Sequence, residues 1–336
     1  MRGRILGWMM ALGLAAVAAP AGAEELRGGG YDVMVVRDQV YGRGLVDASN
    51  AGGRMRDLRM DVYRPVEEGR PLADRPAIIM VFGGAFYRGS KGADHFEEDG
   101  ASDSSMADYC TRFARAGYVC AAIEYRLAPE DPGIAHEPDP AMLLPRALLT
   151  GPAATARIET VRARMALPPL DDESRAQLWR GYLAATDDLA AAVHYVRDHA
   201  ASLGTAPDRI AIGGFSAGAI TVVNGAYGMA LPVKAVVALS GAMGAYDIRK
   251  SVRKGMPPGL FFLGQNDLAG IQIGARAALA ALKQAEVPTE SAWVPGFGHF
   301  YPMGAVSLGS DMSRSTVETR ILDFLGRTMG AKAVEP

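Results

Sequence analysis

Short, continuous apolar runs alternate with amphipathic stretches along this chain. Residues 76–82, 118–123, 210–212, 233–239 and 259–263 are apolar at nearly every position. Runs of that length predict strands covered on both faces, as in a parallel sheet. The valine-rich stretch from Tyr31 to Tyr41 predicts another strand. Leu58, Met60 and Val62 alternate with polar residues and predict a half-buried one. A turn at Asn50-Ala51-Gly52-Gly53 joins these two, so the sheet should open with an antiparallel pair. Ser291 to Val294 is the last strand expected. Helices are predicted over about 104–116, 171–202, 271–284 and 313–329, and directly after Ser216. On the longest of them, Leu189, Ala192, Val193 and Val196 mark one apolar face. Strands alternating with helices predict an α/β fold, a mostly parallel central sheet with helices on both faces, in one domain over residues 24–336.

Two stretches break the pattern. Between Pro129 and Pro169 fall eight of the chain's 20 prolines, so about 130–170 cannot be one regular element. It holds room for a short helix from Ala154 to Met165. The stretch reads as an excursion from the main fold, either a lid or pocket wall or a solvent-exposed packing insertion. At the N-terminus, Arg2 and Arg4 precede an apolar run from Ile5 to Ala19. Ala21-Gly22-Ala23 then offers a small-x-small cleavage site. These three parts predict a secretory signal peptide over residues 1–23. The alternative is a membrane anchor, but the run is short of the roughly 20 residues a span needs.

Composition narrows the classes. The chain has 336 residues, 49% hydrophobic and 21% charged, which is ordinary for a globular protein. Its net charge is −2, with no basic block, so nucleic acid is not an expected partner. No other apolar stretch is long enough to span a membrane, so the mature protein is expected to be secreted or periplasmic, with no stable membrane insertion. The two cysteines, Cys110 and Cys120, then meet an oxidising compartment; a disulfide and two buried thiols both remain open. Cysteines and histidines show no zinc spacing, and neither metal nor cofactor is expected. Oligomeric state is not legible.

The candidate chemistry centres on Gly214-Phe215-Ser216-Ala217-Gly218. An apolar strand precedes it and a small-residue helix follows, the context in which Gly-x-Ser-x-Gly exposes a nucleophilic serine on a tight turn. A serine hydroxyl needs a base and the base needs an orienting group. Of five histidines, His95 and His136 lie in polar loops, and His194 and His199 lie on the long helix. His299 follows the last strand, so it falls with Ser216 at the carboxyl ends of the strands, where sites gather in such sheets. Asp267 follows the apolar run 259–263 on the same edge. As an isolated residue it also suits a turn. The order serine, acid, histidine is that of one fold among the serine hydrolases. Backbone N–H groups at Gly83, Gly84 and Ala217 are candidate oxyanion donors. Phe86, Tyr87, Phe215, Phe300 and Tyr301 are candidate substrate contacts, although core packing suits several of them equally.

These residues resemble the α/β-hydrolase superfamily, and in particular the carboxylesterases related to hormone-sensitive lipase. The resemblance is carried by Phe82-Gly83-Gly84-Ala85-Phe86, Glu124-Tyr125-Arg126-Leu127-Ala128-Pro129, the serine motif, Gly264-Gln265-Asn266-Asp267 and Gly298-His299. It implies Ser216 as nucleophile, Asp267 as acid, His299 as base, and an oxyanion hole at Gly83, Gly84 and Ala217. Phe82 stands where the family has histidine and Ala85 where it has a third glycine, which leaves the anchoring of that loop open. Tyr125 and Arg126 match a family motif read as structural. The activity implied is hydrolysis of short- to medium-chain carboxylic esters. A peptidase or polyester hydrolase on the same triad is the nearest alternative, and a catalytically silent binding protein the next. If the leader is cleaved as expected, N-terminal sequencing of the exported protein should begin at Glu24; retention of residues 5–19 in a membrane fraction would favour the anchor.

Overall fold

The computed structural model describes residues 30–98 and 100–330, so the expected leader lies outside the described residues. Ten strands build the main sheet: β1 (Asp32–Val46), β2 (Arg54–Glu67), β3 (Arg75–Val81), β4 (Val119–Ile123), β5 (Thr205–Phe215), β6 (Ala235–Leu239), β7 (Gly259–Gly264), β8 (Thr289–Val294), β9 (Val306–Gly309) and β10 (Arg314–Thr316). Their spatial order is β1-β2-β4-β3-β5-β6-β7-β8-β9-β10, with the short Arg70–Pro71 strand also on β2. From β4 to β8 all neighbours are parallel, and β1, β2 and the β9–β10 hairpin are antiparallel. Strands β4, β6 and β7 are buried at every position, so both their faces are covered. The longer helices are α1 (Met106–Arg115), α2 (Pro152–Arg164), α3 (Asp172–Asp198), α4 (Ala217–Val223), α5 (Ala269–Gln284) and α6 (Val317–Met329).

The β9–β10 hairpin was not expected. Within residues 313–316, where the sequence predicts the opening of the last helix, Arg314–Thr316 form its second strand, and α6 starts at Val317 with Thr316 as its cap. Thr316 suits both roles, because a cap residue has extended backbone angles. The other ends fall close to expectation: α1 begins behind a Ser105 capping box and α3 behind an Asp171 one. Of the two cysteine readings, the bridged one holds. Cys110 of α1 is bonded to Cys120 of β4.

The excursion at 130–170 is built from two 3₁₀ turns, a short helix at Ala147–Thr150 and α2. It is docked at both ends. Leu144 N–H donates to Ala245 O at 2.8 Å, and Arg162 donates to Pro168 O and to Tyr87 Oη. Arg126, where β4 gives way to the excursion, is the largest fully buried side chain. It meets Asp188 of α3 at 2.7 Å and donates to Leu45 O of β1 and Gly133 O of the excursion. Gly44 leaves room for the guanidinium, which a side chain there would overlap. One cation thus ties strand, excursion and helix together. Removing one partner of such a pair strands a buried charge, at about 3–5 kcal/mol. Arg126→Met should therefore lower unfolding free energy by about that amount in urea titration, and Arg126→Met with Asp188→Leu should recover part of it.

Candidate active site

Strand β5 ends at Phe215, and Ser216 takes φ 53° and ψ −114°, a conformation few non-glycine residues adopt. The turn is held by Ser216 N–H donating to Leu239 O of β6 at 2.8 Å. Its sharpness brings α4 against the sheet. A Cβ on Gly214 would come within 2.5 Å of Gly218, and one on Gly218 would overlap the Val81 carbonyl of β3. The two motif glycines are therefore required by packing between chain segments.

His299 and Asp267 reach the serine from neighbouring strand ends. His299 Nε2 lies 2.8 Å from Ser216 Oγ, and His299 Nδ1 lies 2.7 Å from Asp267 Oδ1. A carboxylate accepts only, so Nδ1 carries the ring proton and Nε2 is free to accept from the serine. Both residues are buried. Asp267 is fixed by further donors: Leu268 N–H to Oδ1 at 2.8 Å, Gly264 N–H to Oδ2 at 3.2 Å and Ser240 Oγ to Oδ2 at 2.6 Å. Ser240 spends its single proton on the carboxylate, so the Tyr301 hydroxyl, 3.1 Å away, donates to Ser240. Burial pushes the Tyr301 phenol well above its ordinary range, which keeps it a donor. Neither Ser240 nor its link to Tyr301 was anticipated. Its position directly after β6, on the edge where the other site residues stand, is the one signal the sequence carries.

The Gly83-Gly84 loop lies against the nucleophile. A Cβ on Gly83 would stand 3.1 Å from Ser216 Cβ. Among the described residues, the backbone N–H groups of Gly83, Gly84 and Ala217 donate to no protein acceptor. The loop's doubtful anchor has a substitute. Phe82 stacks on Tyr125 at 4.4 Å between centroids, and Tyr125 Oη donates to Phe82 O at 3.1 Å. The Tyr125-Arg126 motif is structural in both residues.

A cavity of about 360 Å³ opens at Ser216. Phe86, Tyr182, Ile220 and Met243 line it from the main fold, and Leu149 and Ile158 from the excursion. Of the other expected contacts, Tyr87 is buried beneath Arg162, and Phe215 and Phe300 pack about the His299 ring instead of lining this cavity. Tyr301 serves Ser240. His199 stacks on Tyr195, away from the serine. Among the described residues no cluster could hold a metal ion, and no helix is long and apolar enough to cross a membrane.

Comparison with known proteins agrees with this architecture. A family model described as phospholipase/carboxylesterase matches residues 180–265, which include Ser216. No curated protein sequence matches the chain. Among solved structures, the esterase Est2 of the planctomycete Thermogutta terrifontis with propionate bound is 18% identical, with a TM-score of 0.52 over 89% of this chain and 93% of that one. The same organism's esterase 2 phosphorylated by paraoxon is 19% identical, with a TM-score of 0.50 over 89% and 92%. A truncated carbohydrate esterase from gut microbiota is 15% identical, with a TM-score of 0.54 over 90% and 98%. At such identities the likeness is one of fold. The fold is the α/β-hydrolase fold, and fold and site together are those of a serine hydrolase.

One more acid stands near the site. Burial pushes the Asp103 carboxyl up to about 6, against the Phe96 N–H and the nearby His95 and His299. A carboxyl raised from 3.8 in the unfolded chain holds its proton more tightly when folded. The stability it contributes is full below about pH 4 and is lost as pH rises through about 6. Asp103→Asn should therefore melt above the wild type at pH 7.5 and level with it near pH 4; an equal difference at both values would contradict the assignment.

Proposed function

We propose that this protein is an exported serine carboxylesterase acting on short- to medium-chain esters. The observation that carries the reading is the Ser216–His299–Asp267 chain, at 2.8 and 2.7 Å, set at the mouth of an apolar cavity. His299 Nε2 takes the proton of Ser216 as Oγ attacks the ester carbonyl. Asp267 holds the ring in the required tautomer and stabilises its charge. Gly83, Gly84 and Ala217 donate their free N–H groups to the oxyanion. The imidazolium returns its proton to the leaving alcohol. Water, activated by the same ring, then releases the acyl group from Ser216.

The cavity supports the substrate class. Its walls are chiefly alkyl and aromatic, and the excursion bounds one side, which suits a small acyl chain better than a polymer. On this reading the excursion is a pocket wall. Polyesters or peptides on the same triad are the second reading. Within the superfamily, the Gly83-Gly84 loop and the Tyr125-Arg126 motif favour the branch that resembles hormone-sensitive lipase. The leader expected at residues 1–23 and the Cys110–Cys120 bond both suit an oxidising compartment outside the cytoplasm.

The mature protein should hydrolyse p-nitrophenyl esters with a maximum at short or medium acyl length. Ser216→Ala should lower kcat by roughly 10⁴-fold or more with the fold intact. Activity that survives the substitution, or turnover of polymer alone, would overturn the reading.

A further inference from the structure

Loop 83–92 carries more backbone strain than any binding role for its side chains explains. Gly84, Ala85 and Phe86 have φ of 122°, 58° and 63°, and Gly89 has 115°. Two consecutive non-glycine residues at positive φ are costly and persist only where surroundings over-determine them. The loop also folds back on itself. Gly84 O accepts from Tyr87 and Arg88, and a Cβ on Gly89 would stand 2.5 Å from Gly83 O and from the Phe82 ring. Gly83, Gly84 and Gly89 are thus packed closely against one another. Tyr125 holds the entrance at Phe82 O, and Phe86 O is held by Ala128 N–H at 2.8 Å. At the exit, the Ala107 N–H of α1 donates to Gly92 O at 3.1 Å, and Lys91, two residues past Gly89, makes the other tie.

The exit is held by a charge in the sheet. Asp61 sits in β2 opposite Ala122 of β4 and is 1% exposed. Lys91 Nζ reaches its Oδ1 at 2.7 Å and Asp38 Oδ1 at 2.9 Å. Asp38 N–H and Arg37 also donate to Asp61, at 2.9 and 3.1 Å. Arg37, though, has 63% of its side chain exposed, against 12% for Lys91. The buried carboxylate therefore depends chiefly on Lys91, and an unpaired charge there would be expensive. Burial pulls the Lys91 ammonium down, but the hydrogen bonds it donates to Asp61 and Asp38 outweigh that and hold it above its ordinary value. The lysine stays charged throughout the working range, two residues beyond Gly89.

We propose that Lys91, clamped by Asp61 and Asp38, is a positioning residue that pins the exit of the 83–89 loop to the sheet and so aims its free N–H groups at the oxyanion on Ser216. The clamp touches no substrate and acts through the loop. It rests on the reading of Gly83 and Gly84 as oxyanion donors. Because those donors act on the tetrahedral state more than on the bound ester, loosening them lowers kcat and leaves KM nearly alone.

The test is a set of variants assayed on one p-nitrophenyl ester, with inhibition by a trifluoromethyl ketone and by the matching methyl ketone. Lys91→Met should lower kcat roughly 10- to 100-fold, short of the roughly 10²–10³ for losing an oxyanion donor outright. KM should stay within about twofold, the trifluoromethyl ketone should weaken by the same factor as kcat, and the methyl ketone should hold. Lys91→Arg, which keeps a cation for both carboxylates, should restore part of kcat. The double variant Lys91→Met with Asp61→Asn removes the stranded charge, so it should melt closer to the wild type while kcat stays low. Full kcat in that double variant, or equal weakening of both ketones, would overturn the proposal. Ser216→Ala in the same assay separates the two levels. If it remains active, the esterase reading fails; if it is dead while the clamp variants are unimpaired, only the clamp fails.

Discussion

The site depends on one steric constraint: α4 must begin within van der Waals reach of the backbone of β3 and β5. The turn at Ser216 can be this tight only because Gly214 and Gly218 carry no side chain, and because Leu239 O of β6 accepts the Ser216 N–H. Close approach does three things at once. It projects the hydroxyl past the strand ends, brings the Ala217 N–H beside it, and sets the Gly83 loop of β3 against the serine from the other side. The strain at Ser216 is balanced by a closely packed interior, with β6 and β7 buried throughout and β5 buried from Ile210 to Phe215.

The remaining parts of the site are supplied by the parallel sheet. Strands that run the same way end on the same edge, so β5, β7 and β8 deliver serine, acid and histidine to one place although 83 residues separate the first from the last. Asp267 is held by a web of donors that continues through Ser240 to Tyr301, two residues beyond the histidine. The acid and the base are thus braced by the same buried tyrosine segment.

What the sequence discloses follows from what is local in it. Continuous apolar runs disclosed the parallel strands, because burial on both faces leaves no polar period. The serine motif and the order Ser216, Asp267, His299 disclosed the expected site, because each lies directly after a strand. Ser240 stayed hidden, since a lone serine after a strand looks like any turn residue until its carboxylate partner, 27 positions on, is known. The pairing of Lys91 with Asp61, 30 residues apart, likewise depends on which strands are neighbours in space. The cysteine pair was undecidable because the angle between α1 and β4 is set by packing. Residues 306–316 evaded a strand reading because they are short and end in a helix cap. Prolines announced the excursion at 130–170, but nothing in them announced where it would dock.

That docking divides labour along the chain. The groups that hold the reacting atoms stand on strand ends whose positions the core dictates, whereas Leu149 and Ile158 stand on an excursion tied to the rest of the fold by hydrogen bonds and by several ion pairs, among them Arg56–Glu130, Arg180–Asp131 and Arg157–Glu98. Changes confined to Leu149 and Ile158 alter the shape of the chamber, whereas Arg162, which donates to Tyr87 Oη, and Arg157, over the Phe300 ring, tie the excursion to the surroundings of the reacting groups. Selection, or an engineer recombining this segment among related folds, therefore finds in Leu149 and Ile158 two positions that reshape the chamber from within one contiguous block of chain.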